Sequence, residues 1–191
     1  IVPKLIGQGD DAIQYRVQNL NNIPVPTAVD FKLERLIPPR KNLRKRQWEQ
    51  VDVQLLSEEA YIKKFPNDPY VNETDPATWE AQFEGLITLN SEQEMKPWNI
   101  VESKFLTEQG TYRISASFKD VQGNVFEDSR IFQYLPLEEK KNKTGDLLDA
   151  WTDINQAEPG QTVSLHLSSS LKKCYTKVCF YQDNYLLSEE E

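Results

Sequence analysis

The clearest pattern along this chain is a period-two alternation of apolar and polar positions. Residues 12–20 run Ala-Ile-Gln-Tyr-Arg-Val-Gln-Asn-Leu, with Ile13, Tyr15 and Val17 on one face, as a half-buried strand requires. Asn21-Asn22-Ile23-Pro24 signals a turn. Residues 28–36 alternate again through Val29, Phe31 and Leu33. Pro38-Pro39 ends that strand, because proline lacks a ladder donor. Strand character returns over 79–89, with Phe83 as the clearest inward position and Leu86-Ile87 as an apolar end. A further strand is expected over 100–106. The strongest local signal spans 110–134: a cleanly alternating run over 110–118, then Asp120-Val121-Gln122-Gly123-Asn124, then a second run over 125–134. Glycine and asparagine tolerate the positive φ of a tight turn, so this segment reads as a β-hairpin.

Residues 40–78 break the alternation. Ser57-Glu58-Glu59 offers a hydroxyl cap and acids in a first helical turn. Tyr61, Ile62 and Phe65 would form one apolar face, and Pro66 stops the helix. The remainder, rich in Pro, Asp and Asn, reads as an ordered loop. The stretch is therefore an insertion between strands, carrying one short helix. Residues 136–146 are polar and charged, and 138–146 read as a linker. Beyond it, strands are expected over 147–154, 161–168 and 172–182. Three strands cannot close a sandwich. The organisation expected is an all-β sandwich over 10–137 with its insertion, then an incomplete second β-sandwich domain over 147–191.

Composition narrows the partners. The 191 residues carry 30 acids and 22 bases, a formal net charge of -8. Such a surface repels phosphate backbones and argues against nucleic-acid binding. The local exception is Arg40, Lys41, Arg44, Lys45 and Arg46, read as a solvated or salt-bridged face before a docking patch for an acidic partner. No stretch approaches the ~20 apolar residues that span a bilayer, and no signal peptide is visible. The chain begins at Ile1 without methionine and is read as part of a longer protein. Cys174 and Cys179 lie five apart in a β-prone run, roughly 16 Å along one strand. A disulfide needs Cα atoms about 4.4–6.8 Å apart, so the two are read as free or separately paired.

Candidate chemistry is sparse. His166 is the only histidine. It lies opposite Val163, Leu165 and Leu167 on its strand, facing solvent or a neighbouring domain. One histidine cannot build a multi-histidine zinc site. A Ser-His-Asp or Cys-His arrangement would have to use it, and no motif such as a nucleophile elbow supports one. The acid pairs Asp10-Asp11, Glu58-Glu59 and Glu138-Glu139 read as solvated. Asp68, Asn72, Glu73 and Asp75 offer oxygen ligands, but their spacing matches no calcium loop. Gly7 and Gly9 precede a strand and fit no nucleotide motif. Asn72-Glu73-Thr74 and Asn142-Lys143-Thr144 match a glycosylation sequon, a tripeptide common by chance. No catalytic, metal or cofactor-binding residue is assigned, and no cofactor is expected. Trp48, Trp79, Trp98 and Trp151 are the candidate interdomain or partner contacts. They could stack sugars, but tryptophans more often anchor a core or an interface.

Several motifs together resemble a known family. Asp30-Phe-Lys-Leu-Glu-Arg-Leu-Ile-Pro-Pro, Arg44-Lys-Arg-Gln-Trp-Glu, Leu56-Ser-Glu-Glu, Phe65-Pro-Asn-Asp-Pro-Tyr and Asp75-Pro-Ala-Thr-Trp are similar to a macroglobulin-type domain. The likeness is to the large alpha-2-macroglobulin-like proteins of Bacteroidetes-type bacteria. Gly110-Thr-Tyr-Arg-Ile-Ser-Ala and Asp120-Val-Gln-Gly fit the end of such a domain, though they are generic to immunoglobulin-like sandwiches. The resemblance covers about residues 10–137, and Glu158-Pro-Gly-Gln-Thr-Val-Ser-Leu resembles the opening of the next such domain. It implies an immunoglobulin-like, macroglobulin-type sandwich serving as a non-catalytic scaffold in a protease-trapping endopeptidase inhibitor. The implied partners are other domains of the same polypeptide and, through the whole protein, proteases. The implied location is the periplasm or cell surface, with a lipid anchor in a preceding region. The family's reactive thioester uses Cys-Xaa-Glu-Gln, whereas Cys179-Phe-Tyr-Gln lacks the glutamate. The alternative is an adhesion or carbohydrate-binding sandwich of a surface protein.

Overall fold

A computed structural model describes residues 4–5, 12–41, 43–46, 49, 51, 53–91, 96–100, 104–136, 142–154 and 156–190. The strands are β1 (Lys4–Leu5), β2 (Ala12–Tyr15), β3 (Thr27–Ile37), β4 (Glu80–Ser91), β5 (Lys96–Asn99), β6 (Gly110–Lys119), β7 (Val125–Tyr134), β8 (Leu148–Thr152), β9 (Leu165–Ser169), β10 (Val178–Gln182) and β11 (Tyr185–Glu190). Among the described residues, one α-helix, α1 (Glu58–Lys64), and one 3-10 turn (Pro76–Thr78) lie between β3 and β4. The fold is an all-β sandwich with a helix-bearing insertion, followed by two further ribbons.

Five strands form the main sheet in the order β1-β7-β6-β3-β4. Among the described residues of this sheet only the β1–β7 pairing is parallel. Period two sends Val29, Phe31 and Leu33 to one face of β3, beside Tyr112 and Ile114 of β6 and Phe132 and Tyr134 of β7. The β2–β5 ribbon forms the second layer over this face, where Ile13, Tyr15, Val17 and Trp98 meet the core. Tyr15 and Trp98 hold Phe31 between them, with ring centroids 4.8 and 5.3 Å away. Burying such aromatic and aliphatic side chains stabilises by about 1.5–3 kcal/mol each. The Tyr112 hydroxyl donates to the carbonyl of Glu108, four residues upstream, at 2.7 Å. That is the tyrosine corner found in immunoglobulin-like sandwiches. Burial pushes its phenol up to about 12.

The hairpin of β6 and β7 closes as its residues dictate. Gly123 sits at φ 88°, and the Asp120 carboxylate accepts from the amides of Gln122 and Asn124. Ser57 caps α1 by accepting from the Ala60 amide at 3.4 Å.

Four local expectations are corrected. Phe83 is 59% exposed. Leu33 pairs with Gly85 and Glu34 with Phe83, so Glu84 is an extra residue, a β-bulge. One inserted residue swaps the faces beyond it, and Phe83 moves outward. Phe105 covers Gly85 from the core side; a Cβ on that glycine would lie 2.3 Å from its ring. Second, of the strand expected over 100–106, residues 101–103 lie outside the described residues and the rest are not in a strand; the strand nearby is β5, which pairs with β2. Ile100 and Leu106 are buried outside any strand, because the chain turns at Lys104 and Phe105. Third, the first strand is short: Val17 is buried beyond β2, and Gln18 bridges to Pro24. Fourth, the strand expected over 172–182 begins only at Val178. Asp183 and Asn184, at φ 47° and 68°, turn it into β11, as a two-residue hairpin loop demands.

Candidate functional site

A buried, hydrogen-bonded joint lies on the outer face of the main sheet, at the end where β3, β6 and β7 carry Leu36, Thr111 and Gln133 in register. Three parts of the chain converge there: the insertion, the segment 142–149 and the β8–β9 ribbon. Thr111 and Thr144 are fully buried, and the Thr111 hydroxyl donates to the Thr144 carbonyl at 2.7 Å. Gln133 donates to Asp146 at 2.9 Å, and Lys45 of the insertion reaches the same carboxylate at 3.0 Å. Asp149, on the inward face of β8, accepts from the Asn142 amide at 2.8 Å and bonds the Thr144 hydroxyl at 2.5 Å. Fully buried Gln109 donates to Ser168 of β9 at 3.3 Å. Glu108 at the rim takes Arg35 at 2.9 Å and Lys143 at 3.2 Å. Arg35 first, then Lys143, hold its carboxyl below the usual glutamate range.

Gly145 is the pivot of this packing. It sits at φ 94°, and a Cβ there would lie 2.3 Å from the Trp79 ring and 2.9 Å from Pro38. The cavity beside it, lined by Leu43, Lys45, Trp79 and Asp146, is about 60 Å³. Small-molecule sites need about 300–1,000 Å³, so this is a packing joint and not a substrate pocket.

The basic run serves the insertion. Arg44 pairs with Asp68 at 2.6 Å, and Arg46 donates to the carbonyls of Pro69 and Val71, both at 2.9 Å. Arg40 and Lys41 are exposed. The oxygen-rich loop uses its carboxylates internally. Glu73 accepts from the amides of Tyr70 and Val71, and Asp75 caps the turn at Ala77. Among the described residues no group of three or more His, Cys, Asp or Glu could hold a metal ion.

The tryptophans separate. Trp79 is half-buried and donates to the Glu73 carbonyl at 2.8 Å. Trp98 belongs to the sandwich core. Trp151 is buried on β8 and stacks on His166 of β9, with centroids 5.7 Å apart. Trp48 lies outside the described residues. His166 does lie opposite Leu165 and Leu167, but its side turns inward to Trp151, and the leucine side is exposed. Cys174 and Cys179 are both exposed and unbridged. Asn142 spends its amide on Asp149 and Thr144, whereas Asn72 is exposed.

Sequence reasoning did not single out Gln109, Thr111, Gln133, Gly145, Asp146 or Asp149 as site residues, and it met Thr144 only as part of a sequon. The available signal was the alternation in β8, which places Asp149 and Trp151 on one face and Leu148 and Ala150 on the other. Comparison with known proteins adds nothing to this geometry: no family model, no curated protein and no solved structure matches the chain.

Proposed function

We propose that this chain is a non-catalytic scaffold module of a large macroglobulin-like protease-trapping protein of the cell envelope. Its direct partners are neighbouring domains of the same polypeptide, and proteases are met by the whole protein. The scaffold reading is carried by one observation. The ribbons after the sandwich leave apolar side chains exposed: Leu148, Leu165 and Leu167 on one side of β8–β9, and Phe180, Leu186 and Leu187 across both sides of β10–β11. Two-stranded ribbons with open apolar faces are marginal alone, and further β-structure packing on them resolves this. The protease-trap part rests on the motif resemblance. It is supported by how those motifs are used, since they form β3, pin the insertion through Arg44 and Arg46, and deliver Trp79 to the joint. The adhesion or carbohydrate-binding reading would need a flat, exposed tryptophan platform. Trp79, Trp98 and Trp151 are each engaged in internal contacts instead.

The test is a trapping assay on the protein that carries this chain. After incubation with a broad-specificity endopeptidase, the protease should be retained in a complex. That complex should still cleave a small chromogenic peptide but spare a large protein substrate. Undiminished digestion of the protein substrate, with no protease retained, would overturn the reading.

A further inference from the structure

A polar, charged connector containing a glycine ordinarily acts as a hinge, since few contacts cross it and glycine absorbs large φ/ψ changes. Residues 142–149 have that composition and a different structure. We infer that this segment is a rigid clasp that makes the β8–β9 ribbon turn as one body with the sandwich and its insertion. The inference goes beyond the scaffold reading and does not depend on it.

Three observations carry it. Thr144 is fully buried and Asp149 only 2% exposed, so the clasp is an interior part of the fold. Its polar groups are held from all sides: by Thr111 and Gln133 of the sheet, by Lys45 of the insertion, and by Asn142 within the segment. The ribbon adds a second tie through Ser168 and Gln109, a strand away from the first. Swinging the ribbon would strip these buried groups of partners, which is costly in an interior. Finally, Gly145, the glycine of the segment, is closely packed. Trp79 and Pro38, which flank the insertion, lie where its side chain would be, so a rotation that carries its backbone toward them must displace one of them.

The experiment is a pulsed dipolar distance measurement on the full chain. Nitroxide labels go on Val121→Cys at the β6–β7 turn and Leu167→Cys on β9, both exposed, with Cys174→Ser and Cys179→Ser removing the native thiols. A single narrow distance distribution is expected. Thr144→Val and Asp149→Ala should abolish that narrow peak while the circular dichroism of the sandwich persists. Should either variant fail to fold, Gln133→Ala, which removes one tie to Asp146, should still broaden the peak. A broad distribution with the clasp intact overturns the inference, as does an unchanged narrow peak in folded clasp variants. The protease-trapping assay reads none of these quantities, so the two proposals fail separately.

Discussion

Gly145 shows how much one position can decide. Its φ of 94° is open to glycine and strained for other residues, and its open side is already filled by Trp79 and Pro38. Gly123 and Gly160 have similar φ values, yet nothing lies within 4 Å of where their Cβ would be. The conformational cost of a non-glycine residue at such φ is about 1–3 kcal/mol. Gly145→Ala adds a steric clash to that cost, whereas Gly123→Ala carries the conformational part alone. Urea denaturation should therefore place Gly145→Ala below Gly123→Ala in stability. Equal losses would mean that Trp79 moves aside freely and that the joint is softer than its packing indicates.

At the level of elements, the β4 bulge governs which side chains enter the core. Alternation alone puts Phe83 with Gly85, Ile87 and Leu89 on one face. The extra Glu84 sends Phe83 outward, and Phe105 reaches in over Gly85 instead. Phe31, 3% exposed between Tyr15 and Trp98, has no such escape. Truncating a buried phenylalanine costs about 3–5 kcal/mol, whereas surface changes usually stay within about 0.5 kcal/mol. Phe31→Ala should thus lose most of the sandwich's stability, and Phe83→Ala should hardly change it, as read by chemical denaturation. A large loss in Phe83→Ala would place that ring in the core and remove the bulge from the account.

Across the whole molecule, the main sheet is tied on its outer face by charge as well as by the clasp. Glu34, almost buried, takes Lys32 at 2.5 Å and a two-nitrogen contact from Arg113 at 2.9 and 3.1 Å. The bond from Lys32 first, then Arg113, outweighs desolvation and holds its carboxyl below the ordinary glutamate value. A carboxyl lowered by folding contributes stability that is complete above its unfolded value. That contribution is lost as pH falls through the folded one. Glu34→Gln should be less stable than the parent at about pH 6, and the gap should narrow toward about pH 3. Denaturation midpoints across that range measure it, and a gap independent of pH would show that Glu34 acts through packing alone.

Much of this architecture was legible in the residues themselves. Period-two alternation identified β3 and β6, since a strand with one buried face must alternate, and the turn after β6 marked β7 as its returning partner. Ser57 and the acids after it marked α1, and Asp120 with Gly123 marked the hairpin turn, because caps and tight turns are local chemistry. What lay beyond the sequence was everything set by a distant partner. A bulge is a mismatch between two strands, so the outward turn of Phe83 needs β3 beside β4. Asn142, Thr144 and Asp146 read as parts of a polar linker until Thr111, Gln133, Lys45 and Asp149 are brought to them by the fold. Polarity is written in the sequence, but satisfaction of a buried polar group is a property of the fold. That is why the sandwich could be read in advance, while the joint that binds its insertion and ribbon together was decided only by tertiary structure.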